Sequence, residues 1–120
     1  MENFAIMDNL IEEKSFRFAI RIVKLNQYFR AKKKEYILSK QILRSGTSIG
    51  ANIAEAQQAQ SKADFISKME IALKETSETK YWLRLLKETD YLSAVEFESI
   101  FQDCVEIERI LVSIVKSAKN

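Results

Sequence analysis

The chain has 120 residues, 47% hydrophobic and 30% charged, with a net charge of +2, one cysteine, two glycines and neither proline nor histidine. That length makes one domain with enough apolar side chains for a core. The scarcity of glycine and proline excludes turn-rich β architectures and points to an all-α fold, and a lone cysteine excludes an intramolecular disulfide.

No apolar run approaches the roughly 18 uncharged residues of a membrane span, and no basic-then-apolar leader opens the chain. The expected location is the cytoplasm, without membrane contact. The charge is uneven: residues 14–44 carry ten Lys/Arg against one acid, Glu35, while residues 1–13 and 45–120 are net acidic. Such asymmetry suits an anionic partner or pairing between subunits.

The first helix is expected over about residues 10–32, with Asn9 as N-cap and Glu12 three residues on. Phe16, Ala19, Ile20, Val23 and Gln27 trace its inner edge, widened by Ile22 and Phe29. Lys14, Arg17, Arg21 and Lys24 fall at i, i+3, i+7 and i+10, a continuous basic stripe along the outer side. Arg30 follows, and Lys32, Lys33 and Lys34 form a polar corner with Tyr28, Phe29 and Tyr36 nearby.

The second helix is expected over about 36–59, with Leu38, Ile42, Ser45, Ile49, Ile53 and Ala56 inward. Lys40 and Arg44 add a basic pair. Gly46 and Gly50, the only glycines, lie inside this helix, where each costs about 1 kcal/mol relative to alanine. One turn apart and flanked by Ser45, Thr47, Ser48 and Ala51, they suggest a face kept small for close approach of another helix. The spacing is neither a phosphate loop, which needs a Gly-Lys-Ser/Thr ending after a strand, nor a membrane dimer motif, given Arg44 and Glu55 beside it. Ser48, Asn52 and Glu55 share one stripe, expected to hydrogen-bond across helices and to meet a basic or backbone partner.

Ser61 and Asp64 read as a capping box opening a third helix over about 62–89, with Phe65, Met69, Ala72, Thr76, Leu83 and Leu86 inward. Ser93 and Glu96 form a cleaner one before the fourth helix, about 94–117. There Phe97, Ile100, Phe101, Cys104, Ile107, Leu111, Ile114 and Val115 make a near-continuous heptad seam. Matched helices joined by short corners give an antiparallel up-down-up-down four-helix bundle, a single domain over 1–120. Phe18, Ile22, Tyr81, Trp82 and Leu85 lie off the narrow seams and are expected at an interface between subunits.

The stretch from Gln41 to Ala56, Gln-Ile-Leu-Arg-Ser-Gly-Thr-Ser-Ile-Gly-Ala-Asn-Ile-Ala-Glu-Ala, resembles the hallmark of a bacterial family of small proteins encoded in intervening sequences of large-subunit ribosomal RNA genes. The likeness continues through residues 16–25 and 72–83 and so runs along nearly the whole chain. It implies a four-helix bundle assembled as a homopentamer. A relative, the accessory variability protein of diversity-generating retroelements, binds a reverse transcriptase and nucleic acid through a strongly basic surface; the present chain is only mildly basic.

Glu75 and Glu78 on the third helix, facing the Ser48–Asn52–Glu55 stripe, would form an acidic cluster. Di-iron bundles add histidines to such carboxylates, and histidine is absent, so no metal, cofactor or catalytic residue is expected. The ten basic residues, interleaved with aromatics, suit a phosphate backbone with some base stacking. The chain therefore reads as a non-enzymatic oligomeric scaffold or adaptor binding RNA, DNA or a nucleic-acid enzyme. The alternative is a structural or regulatory protein–protein module whose basic helix pairs with acids of the fourth helix in a neighbouring subunit.

Overall fold

The computed structural model describes residues 2–120, with side chains from Phe4 onward; Met1, within the domain expected over 1–120, lies outside them. The elements are α1 (Glu2–Tyr28), α2 (Leu38–Ala56), α3 (Lys62–Glu88) and α4 (Ala94–Lys119), and a π-helical turn, Phe29–Lys33, prolongs α1. α1 and α3 sit on a diagonal, each packed against α2 and α4, in an antiparallel four-helix bundle of 45 × 23 × 19 Å. No described residue is in a strand.

Serine N-caps set the starts of α3 and α4. Ser61 Oγ accepts from Asp64 N at 3.0 Å. Ser93 Oγ accepts from Glu96 N at 3.1 Å while the Glu96 carboxylate accepts from Ser93 N at 2.9 Å, a complete capping box. That backbone contact is the main reason the Glu96 carboxyl titrates below its ordinary range.

α1 begins earlier than its sequence suggests, with Asn9 inside the helix rather than capping it. Tertiary contacts hold the added turns: Phe4 packs on Phe65 of α3 with ring centroids 5.8 Å apart, and Asp8 accepts from Gln57 Nε2 at 3.0 Å. α2 is shorter at both ends than expected.

The larger correction concerns which side of α1 is inside. Ile11, Ser15, Phe18, Ile22, Asn26 and Phe29 are buried, whereas Phe16, Ile20 and Val23, expected inward, are 68%, 41% and 38% exposed, and Gln27 is exposed too. Phe18 and Ile22 are core, not interface; Tyr81 is exposed, with Trp82 and Leu85 half-buried. The reason lies on α2. A Cβ on Gly46 would meet Ile22 Cγ1 at 2.8 Å and Cγ2 at 2.9 Å, and one on Gly50 would lie 3.3 Å from the Ser15 carbonyl oxygen. α1 therefore presses its 15/22 edge into the glycine face, which fixes its rotation.

On the remaining helices the buried residues follow the expected seams. Ile42, Ser45, Ile49, Ile53 and Ala56 of α2, Met69, Ala72, Thr76, Leu83 and Leu86 of α3, and the α4 heptad from Phe97 to Val115 line the core, where Phe65 and Phe101 are half-buried. Cys104 is buried, and burial pushes its thiol up to about 12.

Two outcomes are expected. Gly46→Ala should destabilise by about 1 kcal/mol net, because overpacking against Ile22, roughly 1–3 kcal/mol, exceeds the ~1 kcal/mol that alanine gains mid-helix. Gly50→Ala should be closer to neutral. Urea midpoints measure both, and a Gly46→Ala chain as stable as the parent would mean that this contact does not set α1. Glu96 has a folded-state pKa below its unfolded one. Its charge therefore stabilises fully above the unfolded value of 4.5, and this is lost as pH falls through the folded value. Glu96→Gln, which keeps a cap acceptor, should be less stable than the parent above that window, and the gap should close in acid. A gap independent of pH across denaturation series would refute the linkage.

Candidate nucleic-acid interface

The rotation of α1 decides the fate of the basic stripe. Lys14, Arg17 and Arg21 do not form a free outer face: α4 stands beside them. Lys14 Nζ lies 2.9 Å from Glu106 Oε1. Arg21 Nη1 donates to Asp103 Oδ2 at 2.5 Å, and its Nη2 donates to Ser99 Oγ at 3.1 Å. Arg17 pairs with Glu13, one turn back on its own helix, at 2.6 Å. Asp103 and Glu106 of α4 thus meet basic residues of the same chain, as Glu108 also does with Lys80 at 3.0 Å.

Arg44 is engaged as well. It bridges Glu75, at 3.2 Å, and Glu78, which also accepts from Trp82 Nε1 at 3.0 Å. The Trp82 donor, with Arg44, holds the Glu78 carboxyl below its usual range, and Glu78 in turn raises Arg44. Glu75 and Glu78 thus pair with Arg44, one turn before Ser48 on α2. Ser48 Oγ donates to the Arg44 carbonyl at 2.6 Å and Asn52 Nδ2 to the Ser48 carbonyl at 2.8 Å. Both bonds stay within α2, the usual outlet for short polar side chains in a helix, so the expected cross-helix network is absent at these residues. Glu55 meets Lys68 of α3 at 3.5 Å. Between α2 and α3 a buried polar contact is made instead by Ser45 with Thr79, hydroxyls 3.0 Å apart.

Six of the ten basic residues remain: Lys24, Arg30, Lys32, Lys33, Lys34 and Lys40. None makes an ion pair among the described residues, and all belong to the end of the bundle where α1 turns into α2. The backbone there is firmly set. The Phe29 carbonyl accepts from both Lys34 N and Glu35 N. The Glu35 carboxylate accepts from Leu38 N at 3.1 Å and Ser39 N at 2.8 Å, capping α2. Buried Asn26 Nδ2 donates to the Ser39 carbonyl at 2.9 Å, tying α1 to that start. Glu35, Asn26 and Ser39 were not singled out as site residues from the sequence; a carboxylate beside a helix start, favoured by the helix dipole, is the signal Glu35 offers.

Lys34 has φ 53° and ψ 33°, a left-handed conformation that glycine adopts at less cost. The Arg30 guanidinium lies 5.3 Å from the centre of the Tyr36 ring. Tyr28 and Tyr36 are 41% and 49% exposed.

Three grooves flank α1, one of them, about 290 Å³, at the Lys14–Glu106 and Arg21–Asp103 pairs. Another, about 640 Å³, runs between α1 and α2 with Phe16, Ala19, Gly50, Ala51 and Ala54 along it. The third, about 530 Å³, lies between α1 and the start of α4, where Lys24, Leu25, Tyr28, Leu92 and Val95 meet. No described helix is long and apolar enough to cross a membrane.

Among curated proteins nothing matches. Among solved structures, the chain is similar to a protein with unknown function from the S23 ribosomal protein family of Bacteroides thetaiotaomicron. The two are 56% identical and superpose with a TM-score of 0.91, covering 92% of this chain and 98% of that one. The 23S rRNA-intervening sequence protein family matches residues 7–113. With its helices, glycine face and corner accounted for over that span, the chain belongs to the 23S rRNA-intervening sequence protein family.

Proposed function

We propose that the chain is a non-enzymatic, cytoplasmic scaffold or adaptor that self-associates and contacts RNA, DNA or an enzyme acting on nucleic acid through the basic end of the bundle. One observation carries the reading: the ten basic residues divide into four that are neutralised within the chain and six, on one end, that make no ion pair among the described residues. Unpaired cations grouped on a rigid surface attract polyanions by counterion release. The left-handed Lys34 supports it further, because a lysine stands where the backbone favours glycine, the kind of local conflict found at functional sites. The cationic site is narrower than the ten-residue surface the sequence suggests.

Self-association, as the homopentamer that the family resemblance implies, is supported by apolar surface that the core leaves unused. Phe16, Ile20 and Val23 run at i, i+4 and i+7 beside the small-residue groove of α2. A second copy of the chain is the occupant we assign to that face. The same stripe favours the second reading, a protein–protein module without nucleic-acid binding. Its pairing of subunits through α1 and α4 charges has less support, since Lys14–Glu106 and Arg21–Asp103 are closed within one chain.

The readings separate by experiment. A generic structured RNA should bind with a log–log salt slope of up to roughly −5 if all six cations contact phosphate. Charge reversal at Lys32, Lys33 and Lys34 should abolish that binding without lowering helical content. Lys34→Gly should do two opposite things, raising stability by up to about 1 kcal/mol and flattening the salt slope by about one unit. Absence of RNA binding at low salt would leave the protein–protein module. Independently, Phe16→Gln with Ile20→Gln should lower the assembly mass by light scattering while the helical signal persists; an unchanged mass would place the subunit contact elsewhere.

A further inference from the structure

We propose that the basic end is selective for single-stranded nucleic acid, with its phosphates on the α1–α2 corner and an unstacked base against Tyr28 in the groove between α1 and α4. The inference rests on the nucleic-acid reading above and narrows its ligand.

Charge gives the first argument. The bundle is only 23 × 19 Å across, and its end is divided. Arg30, Lys32, Lys33, Lys34 and Lys40 occupy the α1–α2 half. The α3–α4 corner, held alongside by the edge-on contact of Phe29 with Tyr91 at 6.2 Å, carries Glu88, Asp90 and Glu96 against one cation, Lys87, whose ammonium lies 4.9 Å over the Phe97 ring. One phosphate backbone fits along the basic half. A duplex brings a second backbone, which must lie over the acids or hang beyond the end.

Aromatic surface gives the second. Tyr28 and Tyr36 are partly exposed among these cations, and the Arg30 guanidinium over one face of Tyr36 leaves the other for a base. Bases inside a duplex are stacked on one another and offer no free faces; those of a single strand do, and stacking on aromatic rings is a main source of single-strand affinity. The third argument is the groove itself. Tyr28 shares it with Leu25, Leu92 and Val95, with Lys24 present on the α1 side and Glu96 on the α4 side. Its apolar walls suit a base, and the Glu96 charge keeps phosphates out and on the lysine side.

The test compares a labelled homopyrimidine single strand with a duplex of the same length by fluorescence anisotropy across a salt series, using the full chain. The single strand should bind at least about tenfold tighter than the duplex. Tyr28→Ala and Tyr36→Ala should each weaken single-strand binding about fivefold or more and leave duplex binding unchanged, while Tyr28→Phe restores it. Both rings are partly exposed, and unchanged melting curves check that the variants fold. Equal affinity for the two ligands, lost on charge reversal of the corner lysines, would overturn this inference and leave the nucleic-acid reading standing. Alanine variants that bind the single strand as tightly as the parent would also overturn it. No binding of either ligand at low salt would overturn both.

Discussion

The approach of α1 to α2 over Gly46 and Gly50 governs much of the rest of the molecule. Without Cβ atoms at these positions, the Ile22 side chain and the Ser15 backbone come within contact of the α2 main chain. The two α1 residues are one heptad apart and the two glycines one turn apart, so the contact specifies an angle of rotation as well as a distance. Each mid-helix glycine costs about 1 kcal/mol of helix propensity. Burial of Phe18, Ile22 and Phe29, about 1.5–3 kcal/mol for each side chain, more than offsets that. Larger residues in the glycine face would push α1 outward and expose the interior from two sides.

The same rotation sorts the charges. With the 15/22 edge turned to α2, Lys14 and Arg21 swing toward Glu106 and Asp103 of α4. Exposed pairs of this kind contribute only about 0–1 kcal/mol each, so they do little to hold the bundle together. Their consequence is electrostatic: they cancel the middle of the basic stripe and confine the remaining positive potential to the corner. Charge that looked continuous along 14–44 thus becomes local. A bundle that is nearly neutral overall still presents a concentrated cationic end.

What the sequence made legible follows from how many solutions each pattern allows. α4 has one apolar seam, from Phe97 to Val115, and α2 has one, from Ile42 to Ala56; their inner faces were readable, as were the capping box at Ser93 and the N-cap at Ser61, where the Asp64 carboxylate accepts from Gln60 N and does not close the expected box. α1 has two apolar stripes one residue apart, Phe16–Ile20–Val23 and Ile11–Phe18–Ile22–Phe29. Periodicity alone cannot rank them, because the choice depends on the shape of the facing helix. Ser48 and Asn52 were misread because a helical polar side chain can satisfy itself on its own backbone at i−4. The part played by Arg44 between Glu75 and Glu78 was hidden because 31 or more residues separate the partners. The corner's lysines were visible, but that none closes an ion pair among the described residues was not, since that is a property of what stands next to them; Lys33 feels Glu96 only at a distance.

The stripe that loses the contest for the core remains on the surface as Phe16, Ile20 and Val23, and this links the α1 rotation to assembly. A helix with a single apolar seam would leave nothing for a neighbouring copy once folded. A helix with two can bury one within the chain and present the other beside the Gly50–Ala51–Ala54 groove. The glycine face then has two roles. Its inner side draws α1 in, and its outer side is the floor of the groove where a second helix would find small residues. If copies associate there with their axes parallel, as in a closed ring, the assembled bundles bring their basic ends together. Several sets of six cations would then act on one polyanion at high effective concentration, and the strength of that surface would depend on the same Ile22–Gly46 contact that orients a single chain.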